Sequence, residues 1–145
     1  MFNLFPPKAE PLSLLCCGAH SDDIEIGCGG TVLSLLEQDR VKDITWIIFS
    51  ADQERKLEAQ NSIDEFVGNQ CKVKSVLFDF KDTLLPYYGS DLKRSFKDAV
   101  QGCSPDIIFT HHRKDLHQDH EIIGKLTHNL FRDHLILEYE VPKYD

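Results

Sequence analysis

Apolar residues along this chain fall into two alternating patterns: short unbroken runs, and longer stretches where they return every three or four positions. Leu12–Gly18 is an unbroken run that predicts a buried strand ending in a turn. Ile44–Phe49, rich in β-branched and aromatic residues, predicts a second strand. Between them, Gly27-Cys28-Gly29-Gly30 leads into a predicted helix over roughly Thr31–Asp39. A helix is predicted over Glu54–Val67, because Ala59, Ile63, Phe66 and Val67 share one face, with Gly68 as its C-terminal cap. Val73–Phe80 is the third predicted strand, followed by a polar and aromatic loop, Lys81–Gly89. Ser90 is expected to cap a helix reaching about Gln101, which Gly102 and Pro105 end. Asp106–Thr110 predicts a fourth strand. Asp119 is expected to cap a helix over His120–Arg132, and a fifth strand begins at Leu135-Ile136-Leu137.

Strand and helix thus alternate with short connections. That pattern predicts an α/β fold, a three-layer α/β/α sandwich with a mostly parallel sheet. Ligands in such folds bind beyond the carboxyl ends of the strands. The chain of 145 residues suits one domain with a real core, and no repeat, low-complexity segment or linker divides it. Its last residues, Tyr139–Asp145, end on an extended segment without a closing helix. The expectation is a single domain, 1–145, that lacks C-terminal elements and with them part of a pocket.

The net charge of −8, with no dense Lys/Arg cluster, argues against a nucleic-acid partner. No apolar stretch is long enough to span a bilayer, and the N-terminus lacks a signal peptide's basic start and apolar core. A cytoplasmic location is the resulting expectation. Cys16, Cys17, Cys28, Cys71 and Cys103 are odd in number and form no CxxC pair, so they read as reduced, mostly buried thiols.

Two segments carry chemistry. Ala19-His20-Ser21-Asp22-Asp23-Ile24-Glu25 follows the first strand, and Asp115-Leu116-His117-Gln118-Asp119-His120 follows the fourth. Each lies between a predicted strand and a predicted helix, so both can converge at one sheet edge. A hydrolytic zinc site takes three protein ligands and leaves one position open. His20, Asp23 and His120 suit that set, with one Zn2+ per chain. His20 and Asp23 are three residues apart and point the same way if the turn has helical curvature. Asp22 then points elsewhere, free to act as general base on a water. His117, in its protonated form, can stabilise an oxyanion and protonate the leaving amine, with Asp119 orienting that ring. Asp115 is a candidate partner for a ligand histidine. His111 and His112 are near enough to line the pocket, and His128 and His134 read as helix-surface residues. The bland alternative makes each aspartate a helix cap. The presence of two His/Asp clusters at equivalent strand ends outweighs it.

Other chemistries fit less well. Gly27–Gly30 has neither a Walker loop's Lys-Ser/Thr nor dinucleotide-fingerprint spacing, so close backbone packing explains it better. No Gly-x-Ser-x-Gly elbow is present. No cysteine pairs evidently with a base, and Cys28 is near the first motif without being a required ligand.

The stretch from Ala19 to Gly30 resembles the Ala-His-Pro-Asp-Asp-Glu signature of the PIG-L/LmbE-like N-deacetylases. His117-Gln118-Asp119-His120 is similar to their His-Pro-Asp-His. The resemblance covers about residues 12–130. It implies a Rossmann-like domain and a single zinc on His20, Asp23 and His120. It also implies Asp22 as base, and His117 as acid or oxyanion stabiliser beside Asp119. It further implies an Arg and a Glu on the helix after the second strand, for which Arg55 and Glu58 are the nearest matches; Arg55 then faces the substrate. Ser21 and Gln118 replace two prolines and Glu25 comes one position late, but none of these changes removes a ligand. The activity expected from the resemblance is removal of an N-acetyl group from an amino sugar or its conjugate, a small-molecule substrate. The alternatives are a metal-dependent amidase on a non-acetyl or non-sugar substrate, and a non-catalytic metal-binding module. A homo-oligomer is left open.

Overall fold

The computed structural model describes residues 10–142. Strands β1 (Leu12–Gly18), β2 (Val41–Ile48), β3 (Lys72–Leu77), β4 (Ile107–His111) and β5 (Leu135–Tyr139) form one sheet in the order β3-β2-β1-β4-β5. Every pairing is parallel, as in Leu14 beside Ile44 and Ile107. An isolated antiparallel bridge, Ser50 to Asp79, lies outside the strands. The helices are α1 (Asp23–Gly27), α2 (Gly29–Glu37), α3 (Gln53–Val67), α4 (Gly89–Ala99) and α5 (Gln118–Leu130). A 3-10 turn covers Leu85–Tyr88.

Side chains alternate across the strands, and the alternation builds two cores. Leu14 and Cys16 of β1 face α2 and α3 through Val32, Leu36, Ala59 and Ile63. Leu15 and Cys17 face α4 and α5 through Leu92, Phe96, Ile123 and Leu126. Because both faces are covered, the strands are apolar runs without polar alternation. The result is the expected three-layer sandwich, with a sheet that is wholly parallel.

Several local expectations change. Residues 23–27 form a short helix of their own ahead of the predicted one. Helix α4 starts at Gly89 with Tyr88 in the cap position, so Ser90 is not its cap. Helix α5 is capped by His117, whose ring accepts the Asp119 N–H, and Asp119 lies inside the first turn. Strand β3 ends at Leu77. Asp52 caps α3, accepting from Arg55 N at 2.9 Å, and Gly68 ends it at a positive φ of 57°. His134 lies between α5 and β5, not on a helix.

Glycine permits two close approaches near the site. A Cβ at Gly27 would overlap the Tyr139 ring, and one at Gly124 would lie 2.6 Å from the His111 carbonyl oxygen. Close packing thus accounts for Gly27, but not for Gly30, whose Cβ would meet open space. Tyr139 also donates to the Cys17 carbonyl at 2.7 Å, which ties the end of β5 to the end of β1.

Candidate metal centre

The strand order reverses between β1 and β4, and the crevice beyond their carboxyl ends is where such sheets bind ligands. β1 delivers residues 19–23 to this crevice, and β4 delivers His111 and the loop to α5. Within it, His20 Nδ1 is 3.3 Å from His120 Nε2 and 3.3 Å from Asp23 Oδ2. His120 Nε2 is 3.4 Å from Asp23 Oδ1. Ligands bound tetrahedrally at 2.0–2.1 Å from zinc stand about 3.3–3.5 Å apart. Each pair of these side chains thus stands at the spacing such an ion requires, with Asp23 meeting His20 through Oδ2 and His120 through Oδ1. All three residues are buried.

The helical turn α1 carries Asp23 inward, where its Oδ2 also accepts the His20 N–H at 2.7 Å. Asp22, at the start of this turn, is exposed and makes no capping hydrogen bond. His117 is buried; Asp119 N donates to its Nδ1 at 3.2 Å, which leaves the proton of a neutral ring on Nε2. One ring nitrogen of His117 lies within 4.8 Å of donors from His20 and His120.

The Asp119 carboxylate accepts from Thr83 N at 2.7 Å and Leu85 N at 3.1 Å, and lies 3.3 Å from His20 Nε2. Two carboxylates, Asp119 and Asp82, therefore back the face of His20 opposite the donor cluster. Asp82 Oδ1 is the closer, at 2.9 Å. Arg55 Nη1 reaches Asp82 Oδ2 at 3.7 Å, while Glu58 is exposed on α3. Asp115 Oδ2 is 3.3 Å from His120 Nδ1 at an angle that makes no hydrogen bond, so that buried nitrogen is left without one.

His111 is more central than its place in the sequence suggested. Buried at the end of β4, it stacks on His120 with ring centres 4.0 Å apart and puts Nε2 3.1 Å from Asp23 Oδ2. Ala19 N approaches the same nitrogen at 3.0 Å. His112 points away, pairing with Glu138, which His128 and Arg113 also contact. Cys28 bonds the Ile24 carbonyl through Sγ, at 3.4 Å. All five cysteines are free.

Charge in the cluster follows from these contacts. Burial raises the Asp23 carboxyl's pKa, but His111, His120 and His20 outweigh this and hold it well below the usual range. Burial likewise opposes ionisation of Asp119, and His20 and the Thr83 N–H override it, so its pKa is lowered. Burial alone would lower His20, yet hydrogen bonds to Asp119 and Asp23 push it up to about 10. Burial dominates at His111 and lowers its pKa.

A pH dependence follows. In metal-free protein the His20 contribution to stability is full below the ordinary histidine pKa of about 6.5. It is lost as pH rises through about 10. The Asp23 and Asp119 contributions have the opposite sign: they are present above about pH 4 and lost on acidification. A metal bound through His20 would have to displace that proton, so metal affinity is expected to rise from pH 6.5 towards 10 with proton release. Calorimetric titration in buffers of different ionisation enthalpy measures this, and pH-independent affinity across that window would contradict it.

Comparison with known proteins adds a family and a fold. The family model described as GlcNAc-PI de-N-acetylase (PIG-L) matches residues 15–131. An uncharacterised deacetylase of Escherichia coli K12, YaiS, is 27% identical over 141 residues, covering 89% of this chain and 74% of its own length. The structure of N,N'-diacetylchitobiose deacetylase from Pyrococcus horikoshii superposes with a TM-score of 0.68 at 21% identity, over 90% of this chain. This chain spans only 53% of that enzyme. The 4-carboxy-2-hydroxymuconate hydratase of Pseudomonas putida KT2440 superposes at 0.63 with 20% identity, over 82% of this chain and 55% of its own. One fold thus carries both deacetylases and a hydratase, and the chemistry has to be argued from the side chains.

Proposed function

We propose, from the premise that the chain belongs to the PIG-L family of GlcNAc-PI de-N-acetylases, that it hydrolyses the N-acetyl group of an amino sugar or its conjugate. The observation that carries the reading is the pairwise spacing of His20, Asp23 and His120 at 3.3–3.4 Å, with the two contacts of Asp23 made by its two different oxygens. These residues would hold one zinc ion. When bound, zinc acidifies a coordinated water to a pKa of about 7 and polarises a carbonyl oxygen.

The chain's own residues supply the rest. Asp22 is adjacent to a ligand yet outside the donor cluster, and it takes the proton of the attacking water. The carbonyl carbon becomes tetrahedral, and its oxygen carries the charge. His117 has Nδ1 engaged by the Asp119 N–H, so it donates from Nε2 to that oxygen as a neutral ring. A neutral histidine suffices for this role, as in triosephosphate isomerase. The carbon–nitrogen bond then breaks, and Asp22 passes its proton to the leaving nitrogen. The products are acetate and the protonated amine, which takes up the acid's proton, and Asp22 is again a carboxylate.

The substrate side is polar. Ser50, Asp52, Arg55, Asp79 and Asp82 line a cavity of about 280 Å³ beside His20. Hydroxyl groups of a sugar match those donors and acceptors. No helix among the described residues is long and apolar enough to cross a membrane.

The test is a panel of N-acetyl glycosides, N-acetyl amino acids and longer N-acyl glycosides, with acid and amine products quantified in the zinc-loaded protein. Acetate and amine released in equal amounts from the N-acetyl glycosides is the expected result. Release only from non-sugar or longer-acyl amides would replace the substrate class. Hydration of an alkene without amide cleavage would replace the reaction.

A further inference from the structure

Gln118 and Asp119 open α5, and both side chains bond the loop that follows β3. We propose that Gln118 is a positioning residue for substrate binding: its amide clamps the Thr83 carbonyl and so holds Lys81 and Asp82 in place as a wall of the polar cavity. The proposal rests on the reading of that cavity as the substrate side.

Three observations carry it. First, the loop has a conformation that its own sequence does not favour. Leu84 N donates to the Lys81 carbonyl at 3.2 Å and closes a turn over residues 81–84. Thr83, the third residue of this turn, has φ +66°. Turns normally leave a positive φ at that position to glycine or asparagine, and a β-branched side chain makes it costlier. A strained backbone persists only where its surroundings hold it.

Second, the first turn of α5 supplies the hold. Gln118 Nε2 donates to the Thr83 carbonyl at 3.0 Å. Asp119 accepts the Thr83 N–H at 2.7 Å and the Leu85 N–H at 3.1 Å. Both backbone polar groups of Thr83 are thus fixed from α5. Asp119 also bonds His20 Nε2 at 3.3 Å, so its work is shared with the donor cluster. Gln118 is exposed, so its substitution tests the clamp without opening a buried pocket. The backbone at position 118 does not call for glutamine. It is the first helical residue, and His117 before it has φ −78° and ψ 119°, conditions that equally suit proline. What glutamine adds is the side-chain donor.

Third, the residues that the clamp positions face the cavity. Lys81 and Asp82 directly precede Thr83, and both line the space of about 280 Å³ together with Asp52 and Arg55. Asp82 Oδ2 stands 3.7 Å from Arg55 Nη1, with the two side chains 44% and 49% exposed and so open to a ligand. The clamp therefore ties the cavity wall to the helix that carries His120.

The test uses the full chain without metal, so that the probe is not turned over. Gln118→Pro keeps the helix start and removes the donor. Gln118→Glu keeps the shape and turns an oxygen towards the carbonyl. Each is made alone and with Thr83→Gly, because glycine adopts a positive φ without support. Affinity for N-acetylglucosamine is read by NMR titration, the loop by hydrogen exchange at the Thr83 and Leu85 amides, and zinc affinity separately by chelator competition. Both Gln118 variants are expected to weaken sugar binding about 3–10-fold, the loss of one hydrogen bond. They should also speed exchange at both amides and leave zinc affinity unchanged. In the Thr83→Gly background the same substitutions should cost less than about twofold relative to Thr83→Gly alone.

Sugar binding equal to the parent's in both Gln118 variants would overturn the proposal. An equal loss with and without Thr83→Gly would mean that Gln118 touches the sugar itself, and would overturn it too. A parallel fall in zinc affinity would make the clamp a support of the metal centre and equally reject it. The parent separates the two layers. If it binds the sugar without metal but cleaves no N-acetyl glycoside when zinc-loaded, the proposed reaction fails and the clamp stands. If it binds no sugar, the clamp has nothing to position and the proposal fails.

Discussion

Asp22→Asn is expected to lower amide hydrolysis roughly 10²–10⁴-fold while zinc content stays unchanged. That range corresponds to about 3–5 kcal/mol of barrier. Neighbouring carboxylates have been given opposite environments here. Asp23 points into the crevice, where the His20 N–H and three imidazoles surround its carboxylate. Asp22 is exposed and makes no capping bond at the start of α1. Asparagine keeps the shape of the side chain and cannot accept a proton at neutral pH. Acetate release and metal analysis on the same samples check the prediction. Zinc loss, or turnover like the parent's, would show that the two aspartates do not divide the roles this way.

His120→Ala is expected to weaken zinc binding by more than about 100-fold, because loss of an outer partner alone costs about 10–100-fold. His120 sits where the loop from β4 becomes α5, and it is fully buried. Its Nε2 is the donor that links His20 to Asp23, so removal leaves two donors where three stood. Activity should fall with the metal and should not return at raised zinc concentrations that saturate the parent. His120→Asn, checked for folding by circular dichroism, separates loss of the donor from collapse of the pocket. A His120→Ala protein that still binds one zinc tightly would move the centre elsewhere, with Asp23 and His111 as the nearest remaining donors.

Much of the architecture was legible because a two-sided sheet leaves a strong signal. Strands buried on both faces must be apolar throughout, and β1 is recognisable to the residue in Leu12–Gly18. Helix α3 announces itself through one apolar face and through Gly68 at its C-terminal end. The misplaced caps have a common cause. An aspartate before a helix is a good cap on propensity alone, but Asp119 is drawn into contacts with residues 83–85 and the cap passes to the His117 ring. Those contacts come from another loop and leave no trace in the local sequence. The glycine of α1 makes room for the Tyr139 ring, a contact across more than a hundred residues.

The sequence by itself determined the alternation of strand and helix, the parallel sheet, and the two His/Asp clusters at strand ends. Each of these is written in residue type and local spacing, which no tertiary contact is needed to interpret. Only the tertiary structure decided which nitrogen of each histidine faces its neighbours, that Asp119 bonds both His20 and the loop at 83–85, and that Asp82 and His111 join the centre. Those outcomes depend on distances between strand ends that the sheet order β3-β2-β1-β4-β5 brings together. Residues far apart in the chain share a hydrogen bond only after the sheet has formed, so their partnership is a property of the packing and not of the spacing.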